Sequence, residues 1–259
     1  MNPSIHMTSS PRHPAPPGLW CVVASLHLLL LATPSVAAEG IAVPGITEPF
    51  LDVTLSASVP GIVTARKVNE GDAVQEGQVL LELDRKIEEL EVRRREIVRD
   101  QKKTDFEGTK KLFTTTRGVS KEDLDKKEVE YRVAAVETDM AAEQLSRRRL
   151  VSPLTGTISE VQIDIGESCS AYQPLIRIVD ARRCYFVANV EARHADRLKK
   201  DQRCKMEIES GATVVAVQGT IHYLAPTVDP ASGLRRVKLL FENAEGRVVP
   251  GVAGRLLLE

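Results

Sequence analysis

The sequence predicts a mainly β protein in which a β-sandwich is split by a long α-helical hairpin and followed by a small β-barrel. Three observations carry this. A glycine-punctuated β pattern occurs twice at a fixed spacing. A charged segment almost free of glycine and proline separates the two copies. After the second copy, short alternating strands follow one another closely. Composition agrees: 42% hydrophobic, 27% charged and a net charge of -1 exclude electrostatic steering toward nucleic acid and an acidic disordered chain. Aromatics at 4% speak for small β modules and a polar arm over a core built on large rings.

Residues 1–38 read as a leader outside the fold. A polar start with Arg12 leads into the apolar run Leu19–Leu31 and then Thr33-Pro34-Ser35-Val36-Ala37-Ala38, the pattern of a secretory signal cleaved after Ala38. The run, at about 13 residues, is short of the roughly 20 that cross a bilayer. Cys21 lies at the front of that run. Cys169, Cys184 and Cys204 remain after cleavage, without CxxC or His-paired spacing, and are expected as small buried hydrophobes. A Cys184–Cys204 bridge is the alternative in an oxidising compartment.

The repeat pairs VPGIVTARKVNEGDAVQEGQVLLELD (59–84) with LTGTISEVQIDIGESCSAYQPLIRIVD (154–180). Gly61 aligns with Gly156, and the same 95-residue spacing pairs Val68 with Ile163, Gly71 with Gly166, Asp72 with Glu167, Gln78 with Gln173 and Leu80-Leu81 with Leu175-Ile176. Val79, Leu81 and Leu83 alternate as in a half-buried strand, and Gly71 and Gly166 stand where turns favour positive φ. Neither copy has enough apolar surface to stand alone. Residues 58–84 and 151–180 are therefore expected to form one sandwich.

Between them, residues 85–150 are expected as two antiparallel helices. Residues 84–112 place Ile87, Leu90, Ile97 and Phe106 at near-heptad spacings. Across 120–149, Leu124, Tyr131 and Leu145 share a heptad line, joined by Val129, Ala135 and Ala142. Thr114-Thr115-Thr116-Arg117-Gly118-Val119 breaks the pattern. Ser120 then reads as an N-cap, with Asp123 completing a capping box in place of Glu. Each arm extends about 43 Å at the helical rise, and the thin apolar seam predicts dependence on a partner. A solvated spacer is the plain alternative.

From residue 181 to 259 the pattern reads as the barrel. Strands are expected at Tyr185–Val190, Cys204–Ile208, Val214–Tyr223, Arg236–Glu242 and Gly254–Leu258, with a polar helical turn at Ala192–Lys200 and a chain reversal at Asp229–Gly233. Residues 39–57, with Leu51, Val53 and Leu55 alternating, are expected to add an N-terminal strand to it.

The motif Gly61-Ile62-Val63, then Glu70-Gly71-Asp72-Ala73-Val74 and Gly77-Gln78-Val79-Leu80, resembles the halves of a biotinyl/lipoyl-type domain. Carriers of that fold join their halves by a hairpin that displays a modified lysine. Here the helical segment takes its place without a Met-Lys-Met or Asp-Lys-Ala sequence, so no cofactor is expected on Lys102, Lys110 or Lys126. The whole order of half sandwich, helical hairpin, half sandwich and barrel resembles the haemolysin-D-like periplasmic adaptor (membrane fusion) family of resistance-nodulation-division and related pumps. Leu81-Glu82-Leu83-Asp84, Gly118-Val119-Ser120-Lys121-Glu122-Asp123-Leu124, Ser152-Pro153-Leu154-Thr155-Gly156, Ala225-Pro226-Thr227-Val228-Asp229 and Pro250-Gly251 carry the resemblance.

The resemblance implies a non-enzymatic protein of the periplasm, associated with the envelope membranes. Its implied partners are an inner-membrane transporter, an outer-membrane channel and further copies of itself in a ring. It also implies a docking tip, here Phe113, Arg117, Gly118, Val119, Ser120 and Leu124. The family's Arg, Leu and Ser tip pattern falls on Thr109, Phe113 and Ser120, so only the serine matches. A membrane-proximal β-domain after the barrel, which many members have, is not seen in the sequence. No nucleophile motif or phosphate loop appears around His194 or His222. Met140 and Met206 are too far apart in sequence for a soft-metal cluster. A lipoyl or biotin carrier and a small-ligand binding protein are the competing classes.

Overall fold

The computed structural model describes residues 41–211 and 213–258, and the expected leader, residues 1–38, lies outside them. In chain order the elements are β1 (Ile41–Ser56), β2 (Gly61–Arg66), β3 (Ala73–Val74), β4 (Val79–Leu83), α1 (Lys86–Thr115), α2 (Lys121–Ser146), β5 (Arg149–Val151), β6 (Gly156–Val161), β7 (Ser168–Cys169), β8 (Pro174–Glu191), α3 (Ala192–Ala195), β9 (Arg203–Ser210), β10 (Thr213–Leu224), β11 (Leu234–Glu242) and β12 (Ala253–Leu258). The protein is mainly β, with a long helical hairpin between its β units.

The sandwich is a pseudo-twofold object built by the repeat. One sheet runs β5-β4-β2-β7, and the other takes β1, β8, β6 and β3 in the equivalent order. Val79↔Val151 and Leu81↔Leu150 are matched 95 residues on by Pro174↔Ser56 and Ile176↔Leu55. Backbone bonds between the halves are reciprocal too: Gly71 N–H donates to Ile158 O, and Gly166 N–H to Val63 O. The shared core joins Val63 to Ile158, Val68 to Ile163 and Leu80-Leu81 to Leu175-Ile176, all buried. Period-2 alternation puts these residues on the inner faces, and their removal from water holds together two halves too small to fold separately.

This symmetry decides where the appendages point. The hairpin leaves after Leu83 and the barrel begins beyond Ile178, positions the pseudo-twofold exchanges. Hairpin and barrel therefore leave the sandwich from equivalent points in opposite halves.

The barrel is closed by six strands in the order β1-β12-β9-β10-β11-β8, with β1 returning to β8. Closure removes free sheet edges. Two long strands serve both units: β1 pairs through Gly45–Pro49 in the barrel and Leu51–Ser56 in the sandwich, shifting register at Phe50. Phe186 fills the barrel centre. A β-carbon on Gly45 would come within 2.6 Å of its ring and one on Gly254 within 2.9 Å. These two glycines are paired across β1 and β12, so the ring occupies the space both side chains give up.

Two local expectations are corrected. The second helix stops at Ser146, and Arg149–Val151 instead pairs with β4 because half-buried Leu150 packs on the sandwich core. The turn after β8 is helical only over Ala192–Ala195. The expectation for the cysteines holds: Cys169, Cys184 and Cys204 are buried thiols, and the alternative Cys184–Cys204 bridge does not form. Burial pushes the Cys184 thiol up to about 11.

Candidate functional site

The hairpin is the feature that sets this chain apart from a plain sandwich. In α2 Leu124, Lys127, Tyr131, Ala134, Thr138, Ala141 and Leu145 are covered at an alternating 3–4 spacing that makes a coiled-coil seam, flanked by half-buried Glu128, Glu130, Ala135 and Glu137. Only Ala134, Thr138 and Ala141 are buried, and no residue of α1 is. Facing them, Val92, Arg95, Arg99, Lys102, Phe106, Thr109 and Phe113 are half-buried. Polar pairs cross the seam: Arg95 to Glu137, and Lys102 Nζ to Glu130 at 2.8 Å. Phe106 stacks on Tyr131 with centroids 6.1 Å apart and planes 8° off parallel. At the root, Arg148 bridges Glu88 at 2.5 Å and donates to the Pro60 carbonyl at 2.9 Å, tying the hairpin to the sandwich.

This corrects the expected seam. Phe106, Leu124, Tyr131 and Leu145 lie on it, but Ile87, Leu90 and Ile97 face outward, Ile87 being 72% exposed and Ile97 66%. In α2, Val129 and Ala142 are exposed as well; Ala135 is half-buried at the edge, and the buried alanines are Ala134 and Ala141. The outward residues form stripes of their own. Val129, Val133, Val136 and Met140 are each more than half exposed and recur at 4, 3 and 4 residues, so one α2 face away from the seam is apolar.

The tip is a short reversal held by a few named hydrogen bonds. Thr116 N–H donates to the Leu112 carbonyl at 3.0 Å to close α1. Arg117 then takes φ 53°, a left-handed conformation that costs a β-carbon-bearing residue about 1–2 kcal/mol. Gly118 N–H donates to Thr116 Oγ1 at 3.3 Å. Ser120 has an extended N-cap conformation, and its Oγ accepts from Asp123 N–H at 3.0 Å. The same hydroxyl donates to Asp123 Oδ2 at 2.7 Å, and this bond, with a backbone one from Ser120, holds the Asp123 carboxyl below its ordinary range. Of the tip residues singled out from the sequence, Arg117, Gly118 and Ser120 are exposed, while Phe113, Val119 and Leu124 are half-buried. The hairpin brings all six to one end.

Elsewhere the chemistry is sparse. Two clefts of about 530 and 580 Å³ flank the junction of sandwich and barrel. Their charged groups are satisfied ion pairs, Asp180 with Arg182, Asp52 with Arg177 and Glu48 with Lys238. His222 lies against Tyr185 at 5.6 Å, and His194 is 3.9 Å from Glu191. Met206 is in the barrel core, whereas Met140 faces out from the hairpin. Among the described residues no group of three metal-ligating side chains comes together, and no helix is long and apolar enough to cross a membrane.

Two family models match. The RND MFP barrel-sandwich hybrid domain covers residues 52–181, and the CusB-like β-barrel domain covers residues 185–259. Among curated proteins, the solvent efflux pump periplasmic linker SrpA of Pseudomonas putida is 23% identical over 83% of this chain and 60% of its own length. The membrane fusion protein MtrC of Neisseria gonorrhoeae is 24% identical over 87% of this chain and 61% of its own. This chain thus spans about three fifths of these relatives. A MacA–MexA chimera containing the Pseudomonas aeruginosa MexA α-hairpin superposes with a TM-score of 0.74 at 18% identity, over 85% of this chain and 82% of that one, which shows the shared fold.

Proposed function

Given that this chain belongs to the RND-type membrane fusion protein family, we propose that it is a non-enzymatic periplasmic adaptor linking an inner-membrane transporter to an outer-membrane channel in efflux or secretion. The observation that carries this is the placement of the hairpin and barrel on opposite halves of the pseudo-twofold sandwich. A rigid β unit with arms from equivalent points in its two halves is built to span between two partners. The curated relatives named as pump linkers support the same reading. An exported chain, cleaved after Ala38, belongs in the periplasm beside both membranes.

The outer stripes support a ring of copies. Ile87, Leu90 and Ile97 on α1 and Val129, Val133, Val136 and Met140 on α2 are exposed apolar surfaces on two different helices. Packing one against the other in the next copy is a heterologous contact, which closes into a ring or runs on as a filament.

The tip supplies the channel contact. Ser120 both caps α2, worth about 1 kcal/mol, and is exposed for docking. Ser120→Asp keeps a capping oxygen but changes the docking surface; Ser120→Ala removes both. The Asp variant also gives up the hydroxyl bond to Asp123 and sets a second carboxylate beside it, so it should be exported and melt below the parent by about 1 kcal/mol, yet lose pump activity in cells at parental protein levels. Full transport by Ser120→Asp and by a Phe113→Asp, Val119→Asp double variant, at parental protein levels, would reduce the hairpin to a spacer.

A further inference from the structure

The end of the barrel farthest from the sandwich is cationic. β8 runs from the sandwich to Glu191, which pairs with Leu234; β9 starts at Arg203 opposite Thr220; and β1 starts at Ile41 opposite Leu258. All these strand ends are therefore at the far rim. Two segments cap it: α3 with its following turn through Arg203, and the loop from Ala225 to Gly233. Arg235 stitches them, donating to the Ala225 carbonyl at 2.5 Å and bridging Asp196 at 3.2 Å. Asp201 N–H donates to Ile221 O at 2.9 Å, holding the turn on β10.

Between Glu191 and Arg203 the chain carries Arg193, Arg197, Lys199, Lys200 and Arg203 against three acidic residues. Glu191 is engaged by Arg193 and Asp196 by Arg235, while Asp201 is exposed in the same turn and Asp229, in the facing loop, accepts from Ala231 N–H and the Ser232 hydroxyl; the cations still outnumber these carboxylates. Arg197, Lys199, Lys200 and Arg203 are exposed and, among the described residues, have no ion-pair partner. The near rim is mixed: Glu242 lies opposite Arg183, Arg247 pairs Glu245, and Arg182 pairs Asp180. The far rim also exposes Val228 in its loop. Beside Arg203 opens a cleft of about 360 Å³ with Leu198, Leu257 and Leu258 in its wall.

We propose that this far rim binds the anionic headgroup surface of a phospholipid membrane. Exposed cations that no internal carboxylate neutralises, with small apolar residues at their level, match a headgroup plane: the charges meet phosphates while Val228 reaches the interface. The proposal rests on the adaptor reading only for which membrane is met, because that reading sends the hairpin toward the outer one.

The test is co-sedimentation of the purified protein with vesicles of phosphatidylcholine alone or mixed with phosphatidylglycerol. Binding is expected only with the anionic lipid and should fall as salt rises. The Arg197→Gln, Lys199→Gln, Lys200→Gln triple variant should bind about a hundredfold more weakly, roughly fivefold per cation. A control with Lys103, Lys110 and Lys111 of the hairpin changed to Gln should bind as the parent does. Any apolar N-terminal segment the protein retains is common to all three and shows as binding to the neutral vesicles. No preference for anionic lipid, or equal losses in both triple variants, overturns the proposal. Vesicle binding is scored without a pump, so failure here leaves the adaptor reading to its own transport assay.

Discussion

Gly77 and Tyr172 occupy the same position in the two halves of the sandwich, at φ 81° and 64°. Their bonds match: Gly77 N–H donates to Ser152 O at 2.8 Å, and Tyr172 N–H to Ala57 O at 2.8 Å. The turns are braced alike, Gln78 Oε1 accepting from Gln75 N–H and Gln173 Oε1 from Ser170 N–H. One half meets the left-handed requirement with glycine; the other meets it with a tyrosine that is 84% exposed.

Because the Tyr172 ring is exposed, little packing offsets its strained backbone. Tyr172→Gly should stabilise the sandwich by up to about 1 kcal/mol, the gain in backbone ease being partly cancelled by the freer unfolded chain. Gly77→Tyr should destabilise it by a similar amount. Urea midpoints at constant slope measure both. A lower midpoint for Tyr172→Gly would mean that the ring makes a stabilising contact outweighing the strain.

The outer stripe of α2 predicts a separation of folding from assembly. Val133→Asp and Val136→Asp change exposed positions, so monomer melting should shift by no more than about 0.5 kcal/mol. If copies pack through this stripe, the double variant should sediment as a monomer at concentrations where the parent associates. Equal association of the two would remove the stripe from the interface.

The repeat was legible because turn glycines and alternating apolar residues keep one spacing from Gly61 to Leu81, and that spacing reappears in the hydrogen bonds of the finished sandwich. The hairpin was legible as helices and its seam in part, through Phe106, Leu124, Tyr131 and Leu145. Hydropathy selects Ile87, Leu90 and Ile97, yet the two helices meet through Arg95, Lys102, Ala134 and Thr138, since a seam of small residues and ion pairs leaves the larger apolar ones for the outside. The sequence places Arg117 at the tip but hides its strain: Gly118 next to it looks like the turn residue, while the positive φ falls on the arginine. The cationic rim depends on strand pairing that brings residues 192–203 beside 225–235, and no local pattern encodes that.

Asp180 gives the junction a defined acid sensitivity. Its buried carboxylate accepts from Arg182 Nε at 3.0 Å, from the second guanidinium nitrogen at 2.8 Å and from Arg182 N–H at 3.0 Å. The Arg182 side-chain bond, working against burial, holds the carboxyl below its ordinary 3.8. A carboxyl depressed in the folded state stabilises above its unfolded value and loses that contribution as pH falls through the folded one. The parent should therefore melt above Asp180→Asn at neutral pH, and the gap should close as pH drops below about 4. A gap that is constant or widens in acid would assign the stability to packing instead of charge.

Arg117 allows the tip's fold and its contact to be pulled apart. Its φ of 53° is easy for glycine and tolerable for asparagine, whereas lysine would keep both the strain and a charge. Arg117→Gly and Arg117→Asn should preserve the hairpin, with helical melting unchanged or raised by up to about 1 kcal/mol. Arg117→Lys should melt like the parent. Transport then distinguishes the roles. If the exposed guanidinium engages the channel through paired donors, all three variants lose activity, and lysine only in part, because an ammonium keeps the charge without the planar fork. If Arg117 only completes the turn, the glycine and asparagine variants should transport as well as the parent. Circular dichroism melts beside an efflux assay at matched protein levels separate these outcomes, and full activity in the glycine variant would remove Arg117 from the docking surface.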